Sequence, residues 1–432
     1  MGDAPLVVAR FAHRTRYESL RHTFRAQAPG HHDGLFTRTG AHLTFGRPWL
    51  HVEAEVVDSR LFWVAPDTPL NTGLGNALDL LQARVVVQGD GVLVDGDRAV
   101  LRVGRMTFDL GGRRLVARNG FRNTINAFTG ADLSWECSNA ADLPNPTTGL
   151  RLFALMPVTR APGDRAPLAN NAVRLDREQT GSLLWGAWGS VDVGALSLEG
   201  YLVGLFEADQ PTLETRDRRL LSPGLRLLSA PRPGHWDMEL EVVAQWGTSR
   251  ATRQPDDVQD LTHRAWFAHA ALGYTWEVRW RPRLELLGDV ATGDDDPKDR
   301  VQGRFDTLFG ARRFELGPTG LFGAFARANI RSPGLRLQVS PLSAVKFTGA
   351  WRPFWLDAVG DAWGPSGARD LSGRSGRFVA HQIEARVQWH VLPGHLTLEA
   401  GAAHLVLGGF ARQAAKLHQP PTFSYVQLST KI

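Results

Sequence analysis

The stretch WDMELEVVAQW, residues 236–246, alternates two kinds of side chain along its length. The even positions are all apolar, whereas the odd positions hold three carboxylates, a valine and an amide. Side chains that alternate in this way point to opposite faces of a β-strand. The stretch therefore predicts a strand with one apolar and one polar face, and the fold depends on which solvent lies on each side.

The same alternation recurs from end to end of the chain. It is clear in WLHVEAEVV (49–57), LLQARVVVQ (80–88) and HQIEARVQWH (381–390). We count about 18 such segments, each roughly ten residues long and bounded by clusters rich in Gly, Pro and Asp. Neither an amphipathic helix nor a clear domain boundary interrupts the series, which predicts a single domain over residues 1–432.

Composition excludes several classes of protein. The hydrophobic fraction is 43% and the mean hydropathy is −0.21, and no run of about 20 apolar residues suggests a transmembrane helix. Cys137 is the only cysteine, so neither an intrachain disulfide nor a cysteine-based metal site is expected. The start, MGDAPLVVARF, has no apolar core of signal-peptide length, which leaves the compartment open if the chain is a mature form.

The basic residues are almost all arginine. Only Lys298, Lys346, Lys416 and Lys431 are lysine among the 49 basic residues. Arginine is suited to bidentate capture of carboxylate or phosphate. A GC-rich genome, which favours arginine codons, is an equally acceptable explanation at this point.

Two all-β architectures fit the alternation. A soluble β-sandwich would direct the apolar faces into a dry core. A transmembrane barrel would direct them to lipid, and it predicts strands of about 9 to 11 residues with aromatic residues near their ends and a polar lumen. The repeated inward Arg and Glu, and the Trp or Phe near strand ends, favour the barrel.

Three stretches resemble the alginate-export family of outer-membrane porins. They are LRVGRMTFDLGGRRLVARNGFRNTINAFTGADLSW (101–135), DTPLNTGLGNALDLLQA (67–83) and ATGDDDPKDRVQGRFDTLFGARRFELGPTG (291–320). The N-terminal RTRYESLRHTFRA fits the first strand of that family, so the resemblance spans essentially the whole chain. One departure is the last strand, which ends in Ile432 where outer-membrane barrels usually end in an aromatic residue.

The resemblance implies a fold and a function. The fold is a single closed antiparallel transmembrane β-barrel of about 18 strands, with short periplasmic turns and longer extracellular loops. The function is passive, anion-selective passage of an anionic polysaccharide such as alginate, or of related organic anions, through an arginine-lined lumen in the outer membrane of a Gram-negative bacterium. The expected partners are outer-membrane lipid, the saccharide and periplasmic secretion components, and the expected state is a monomer.

Strand parity predicts which bases line the lumen. By this rule the inward basic residues are Arg10, Arg14, Arg16, Arg38, Arg84, Arg105, Lys346, Arg352 and Arg386. The first matching stretch adds a turn and the entry to the next strand, with Arg113, Arg114, Arg118 and Arg122. Arginines at successive positions would each bind an anion, but none would bind it tightly. Conduction of an anion requires such a series of weak sites.

Inward acids nearly balance these bases. They are Glu53, Glu55, Asp132, Glu136, Asp237, Glu239, Glu241, Glu384 and Glu399. One interpretation is that they pair with lumen arginines to hold them upright, or that they offset the field so that a polyanion does not stick. The alternative is a general diffusion porin whose mixed-charge lumen selects only by size.

Other kinds of site are weaker candidates. The run Asp294, Asp295, Asp296 with Asp299 lacks the spacing and the bidentate Glu of a known Ca²⁺ loop, so a solvated turn is favoured. His31 and His32 lie in a turn and do not suggest a metal site. No phosphate loop, nucleophile elbow or HExxH helix is present, and we expect no cofactor and no enzyme activity. Aromatics fall on the face opposite the charges, which argues against nucleic-acid binding.

Competing hypotheses remain at this point. An outer-membrane barrel enzyme would require a catalytic constellation that these residues do not supply. A water-soluble version of the same architecture would require polar outward positions, yet outward Leu, Val and Trp are abundant. The sequence specifies neither the true substrate nor the direction of transport, and the loop at 361–376 could cover either mouth.

Overall fold

A computed structural model describes residues 5–25, 28, 30–138, 147–211 and 213–432. Among these residues, eighteen strands of 9 to 16 residues form the architecture, together with two strands of two residues, β8 and β15. The strands are β1 (Leu6–Arg21), β2 (His32–Arg47), β3 (Leu50–Phe62), β4 (Asn76–Asp90), β5 (Asp97–Met106), β6 (Phe128–Ser138), β7 (Thr147–Thr159), β8 (Arg177–Glu178), β9 (Ser182–Val193), β10 (Leu196–Glu207), β11 (Arg219–Ser229), β12 (Trp236–Ser249), β13 (Leu261–Thr275), β14 (Arg283–Ala291), β15 (Val301–Gln302), β16 (Ile330–Leu342), β17 (Val345–Trp355), β18 (Phe378–Leu392), β19 (Leu396–Leu407) and β20 (Thr422–Lys431).

Helical structure is minor in the described part of the chain. The helices are α1 (Arg165–Ala169) and α2 (Gly409–Gln413), with a short 3-10 helix at Gly364–Ser366. Within the described ranges, no helix combines the length and hydropathy needed to cross a bilayer.

The strands form one closed antiparallel barrel. Each long strand pairs with its neighbour in the chain, and β1 pairs with β20 through the register Ala12–Lys431 to Arg21–Thr422. The short strands lie against β7 and β13, respectively. Closure leaves no sheet edge without a partner, which is the condition for a β-structure in lipid. The expected barrel and its strand number are confirmed.

The two ends of the barrel differ. Connections at one end, the turn end, are turns of seven residues or fewer where they are described, such as 48–49, 194–195 and 343–344. Connections at the other end, the loop end, are longer, and those at 107–127, 160–181, 292–329 and 356–377 are the longest. Strand β1 starts at the turn end and β20 finishes there.

The alternation in residues 236–246 is confirmed by exposure. Trp236, Leu240, Val242 and Trp246 are exposed on the outer face of β12, whereas Asp237 and Glu241 are buried on the inner face. Aromatic residues stand on the outer face near both ends of the barrel. Trp236, Tyr274, Trp276 and Trp389 lie near the turn end, and Phe206, Trp246, Trp266 and Trp355 lie near the loop end. These positions match the girdles of a membrane barrel.

The interior is less uniformly polar than parity predicts. At the loop end, inward positions hold buried Phe36, Phe267, Phe354 and Phe423. Loop residues such as Phe24, Phe322, Phe325 and Trp363 pack on them, and the Phe325 and Phe354 rings stack with centroids 3.5 Å apart. The apolar core is needed because long loops that fold into the barrel must bury their own side chains.

Placement of β12 in lipid predicts a depth-dependent cost for outward charge. Val242→Arg, on the outer face in the middle of β12, should lower the free energy of unfolding in bilayers by about 2–4 kcal/mol, whereas Ser19→Arg, near the loop end of β1, should cost about 0–1 kcal/mol. Urea titration of protein refolded in bilayers measures both values. Equal costs at the two sites would contradict the assignment of these faces to lipid.

Candidate functional site

Two loops enter the lumen from the loop end and narrow it. The first inner loop is residues 107–127, and its tip is held by arginines of β1 and β2. Arg14 donates to the carbonyls of residues 120, 121 and 122 at 2.9–3.1 Å. Arg16 donates to the carbonyl of residue 121 at 2.7 Å, and Arg38 donates to those of residues 120 and 122. The tip is therefore fixed by charged donors on neutral acceptors.

The second inner loop is residues 303–329, and it lies against the first. Val116 and Phe309 form a parallel β-bridge, reinforced by backbone hydrogen bonds from Ala117 to Phe309 and from Phe309 to Leu115. Asn126 also donates to the Phe309 carbonyl at 3.2 Å. The two loops consequently form one constriction across the lumen.

Arg114 connects both inner loops to the barrel wall. Its guanidinium bonds to Glu315 of the second loop at 2.9 Å and to Glu239 and Glu241 of β12. Arg327 binds the other Glu315 oxygen, and Tyr201 of β10 donates to Glu241. Five of these six groups are buried, and Glu239 is the exception. Charges buried this deeply require partners, so the network fixes where the loops lie.

A cavity of about 590 Å³ lies on the turn-end side of the constriction. Its wall includes Ser429 and Lys431 at the end of β20, and the first inner loop contributes Phe121. Its charged lining consists of Arg14, Arg38, Arg113, Arg118, Arg313, Arg386, Lys431, Glu55, Asp109 and Glu399. Arg113 also covers the ring of Phe314 at 3.8 Å from its centroid. The lining is strongly basic and carries two aromatic rings.

A second cavity of about 200 Å³ lies on the loop-end side. Arg25, Arg122 and Arg312 line it, and no carboxylate of the described residues does. Arg25 donates to the carbonyls of Leu321 and Phe322 at 2.8 and 2.7 Å. Burial, and then the nearby Arg312, lowers the pKa of Arg25 to about 10, so it remains charged at neutral pH. The cavity holds an excess of positive charge.

Adjacent residues of each inner loop line opposite cavities. Phe121 belongs to the turn-end cavity and Arg122 to the loop-end cavity. In the second loop, Arg313 lines the turn-end cavity and Arg312 the loop-end cavity. The constriction is thus only about one residue thick at these points, and basic side chains stand on both of its sides.

The predicted basic residues separate into two groups. Arg16, Arg84, Arg114, Arg118 and Arg352 form ion pairs with Glu18, Glu53, Glu241, Glu55 and Asp289, respectively. In contrast, seven predicted bases form no ion pair with a carboxylate of the described chain: Arg10, Arg14, Arg38, Arg113, Arg122, Lys346 and Arg386. The second group supplies net positive charge to the lumen.

Arg105 is a correction to the predicted lumen set. In the register of β4 and β5 it lies opposite Ala83, on the same face as the exposed Val103 and Leu101. Its guanidinium bonds to Glu178 at 2.7 Å and to the Leu80 carbonyl at 3.0 Å. The prediction is wrong because the odd positions of β5 face outward, where Arg105 joins the strand to segment 160–178.

Most of the predicted inward acids form ion pairs with arginines, as the first interpretation of these acids expects. Glu53, Glu55, Asp132, Asp237, Glu239, Glu241 and Glu384 each form an ion pair with an inward arginine. Glu399 instead accepts hydrogen bonds from Gln388 and Tyr425 at 2.7 and 2.6 Å. Glu136 lines a cavity of about 230 Å³ beside Arg102 and Arg151. The acids therefore neutralise particular arginines and leave others uncompensated.

Several functional arginines were not predicted from the sequence. Arg312 and Arg313 follow a glycine and an alanine in GARRF, much as Arg113 and Arg114 follow two glycines in GGRRL. That repeated doublet was a usable signal for two related inner loops. Arg25 gave no such signal, because it lies in an irregular loop, which has no side-chain parity.

The structure places the loop at 361–376 and also bears on the weaker metal candidates. The segment 361–376 packs at the loop end, where Trp363 donates to the Ala324 carbonyl at 2.7 Å and Asp361 pairs with Arg304 and Arg369. Within the described ranges, no cluster of three or more His, Cys, Asp or Glu residues is arranged for a metal ion. The expectation of no cofactor stays a prediction.

Comparisons with known proteins come from sequence and from structure. The family model described as "Alginate export" matches residues 10–423. No curated protein sequence matches the chain.

The solved structures that resemble the chain are porins. They include Pseudomonas aeruginosa OccK8 (OprE), with 12% identity, 99% and 98% coverage of the two chains and a TM-score of 0.60. Acinetobacter baumannii OccAB3 has 11% identity, 99% coverage of both chains and a TM-score of 0.62. P. aeruginosa OccK2 (OpdF), solved in complex with glucuronate, has 11% identity, 99% and 98% coverage and a TM-score of 0.58. At these identities the similarity shows the fold.

The Arg114 network predicts mobile inner loops when it is broken. Arg114→Gln removes the one guanidinium that Glu239, Glu241 and Glu315 share, and loss of one partner from a buried pair typically costs about 3–5 kcal/mol. Hydrogen exchange in residues 107–127 and 303–329 should accelerate at least about tenfold. Arg118→Gln is the matched control, because its pair with Glu55 is partly exposed and is worth about 0–1 kcal/mol. Similar exchange in both variants would contradict the role of Arg114.

The contact between segment 160–178 and the barrel wall predicts that local opening of this segment depends on pH. Asp176 accepts from Asn76, and its backbone N–H donates to Asp79. Burial, and then the neighbouring Asp79, raises the pKa of Asp176 to about 7. The carboxyl has a pKa near 4 when the segment is open and near 7 when it is closed, so its protonated form favours closure. The closed state therefore loses stability as pH rises between those two values.

Hydrogen exchange measures this effect. After correction for intrinsic rates, exchange in residues 165–178 should be faster at pH 8 than at pH 5, and Asp176→Asn should remove the difference. Persistence of the same difference in Asp176→Asn would contradict the assignment to this carboxyl.

Proposed function

This chain belongs to the alginate-export family, and from that premise we propose that it is a passive, anion-selective channel for anionic polysaccharide or related organic anions. The barrel and its porin relatives indicate a bacterial outer membrane and a pore. We propose that the chain works as a monomer, since β1 and β20 of one chain close the barrel. A polymer would reach the turn end from periplasmic secretion components.

One observation carries the proposal: four arginines around the constriction are bound to neutral acceptors and to no carboxylate of the described chain. Arg14, Arg25 and Arg38 donate to backbone carbonyls, and Arg122 donates to the Asn126 amide oxygen. A carbonyl orients a guanidinium without cancelling its charge. These side chains therefore remain available, through their charge and their free N–H groups, to a passing carboxylate.

The arrangement of the two cavities supports passage instead of tight binding. An anion in the turn-end cavity meets Arg38, Arg113 and Arg386, and on the loop-end side it meets Arg25, Arg122 and Arg312. Several moderate sites in sequence allow an ion to enter and to leave, which is the requirement for conduction. Arg312 and Arg313 are adjacent in the chain and line opposite cavities, so they place a basic group on each side of the constriction.

A mixed-charge lumen that selects only by size is less well supported. The acids on β12 and β14 lie beside arginines: Asp237 and Glu285 flank Arg283, and Glu239 bonds to Arg226 at 2.8 Å. That wall is locally compensated. The wall formed by β1, β2 and β18, with the two inner loops, carries the uncompensated bases, so the net field favours anions.

The saccharide is supported by two features. Phe121 and Phe314 line the turn-end cavity beside arginines, and an aromatic ring next to a cation suits a ring-shaped molecule that carries a carboxylate. The OccK2 structure contains glucuronate, which is a sugar acid. We propose a uronate-containing saccharide as the preferred class of anion.

Ion selectivity tests the channel. Wild-type protein in a planar bilayer under a KCl gradient should give a reversal potential that indicates preference for chloride over potassium. Arg38→Gln/Arg386→Gln and Arg122→Gln/Arg312→Gln should each lower the permeability ratio about threefold or more, because each pair removes two uncompensated charges from the lumen. Arg21→Gln is the matched control, since Arg21 is exposed on the outer face of β1.

Two results would contradict this function. A cation-selective or unselective wild-type current would exclude the anion channel, and unchanged ratios in both double variants would exclude these arginines. The substrate is tested separately with polyuronate in the same bilayer. Block that weakens in the double variants supports the saccharide, whereas current indifferent to polyuronate leaves an anion channel for smaller solutes.

A further inference from the structure

The outer face of one side of the barrel has an uneven distribution of charge. Seven consecutive long strands form this side, from β9 to β14 together with β16. Their outward positions, all of them within the described chain, hold no carboxylate and only three charged residues: Arg219, Arg264 and Arg331. A lipid-facing surface normally carries no charge, so these three positions require an explanation.

All three arginines lie at the loop end. Arg219 is the first residue of β11, Arg331 is the second of β16 and Arg264 is the fourth of β13. Exposed aromatic residues lie beside them: Phe206 is opposite Arg219, and Trp246 is opposite Arg264. Aromatic residues at such positions mark the level of the membrane–water interface. The arginines therefore lie at the level of lipid headgroups.

Of these arginines, Arg264 has no carboxylate partner among the described residues, and Arg219 shares its partner with Arg250. Arg331 pairs with Asp357 at 2.6 Å. Arg219 is 55% exposed, and its nearest carboxylate is Asp217 at 3.5 Å, which also pairs with Arg250 at 3.2 Å. The Arg264 side chain is exposed and forms no hydrogen bond or ion pair with any part of the chain that the structure describes. Arg219 and Arg264 leave positive charge directed outward.

The spacing of the two residues suits a headgroup with two phosphates. One strand, β12, separates β11 from β13, and Thr248 of β12 lies opposite Arg219 on one side and Thr262 on the other. Strand spacing and rise place the two Cα atoms about 12 Å apart. Extended arginine side chains on either side of Thr248 can reach phosphates on a single lipid.

We propose that Arg219 and Arg264 form a binding site for the phosphate groups of an anionic glycolipid in the outer leaflet, with Trp246 and Trp266 against its apolar part. Guanidinium groups bind phosphate through paired N–H donors, and a basic group at the interface attracts an anionic headgroup. The site lies on the outside of the barrel, so it is independent of the anion pathway in the lumen.

Lipid retention tests the site directly. Purified protein in a neutral maltoside detergent is titrated with diphosphoryl lipid A, and bound lipid is counted by native mass spectrometry. Wild-type protein should bind it, and Arg219→Gln/Arg264→Gln should bind about 30-fold more weakly. Arg386→Gln, which removes a charge from the lumen, should bind as wild type does. Phosphatidylcholine, which has no net charge, should show weak binding that none of the variants changes.

Three results would overturn the proposal. They are equal affinity of wild type and the double variant for diphosphoryl lipid A, an equal loss in Arg386→Gln, and equal binding of phosphatidylcholine and lipid A. Inorganic phosphate is the remaining probe. Displacement of bound lipid A by millimolar phosphate would indicate a site for free anions and would also overturn a lipid site. Heat-dependent gel migration verifies that the double variant forms the barrel, as expected for two exposed side chains.

Discussion

The pairing of every backbone N–H and C=O group inside lipid is the constraint on which the rest of this structure depends. A β-sheet meets it only by closing on itself, which the pairing of β1 with β20 achieves. Closure creates an interior that has no lipid and an exterior that has no water. The strict alternation of residues 236–246 follows, since each successive side chain faces a different solvent.

Once the barrel is closed, the polar groups of the inner loops need partners inside the lumen. A loop in the lumen has backbone carbonyls that need donors, and arginines from β1 and β2 supply them. Two of these, Arg14 and Arg38, form no ion pair with a carboxylate of the described chain. Elsewhere the loops are held by charge pairs such as Arg114 with Glu315. The same residue type thus has two uses, and the difference lies only in the acceptor. Where the acceptor is a carbonyl, positive charge remains for a solute.

Residue parity predicted much of the site and failed for identifiable reasons. Glu239, Glu241 and Arg352 face inward as alternation requires, because they lie in the middle of long regular strands. Arg105 was placed wrongly, because it lies at the end of β5, where its side chain bonds to a loop outside the lumen. Arg25 and Arg312 lie on loops, so no periodic pattern could place them beside Arg122.

The sequence by itself determined the barrel, its strand number and the solvent on each face, since these follow from side-chain period and from the chemistry of each position. Only the tertiary structure decided which arginines keep their charge for a solute. Whether Arg38 meets a carboxylate or a carbonyl depends on the position of a loop 84 residues away in the chain. That contact arises from packing in three dimensions, so the local sequence does not predict it.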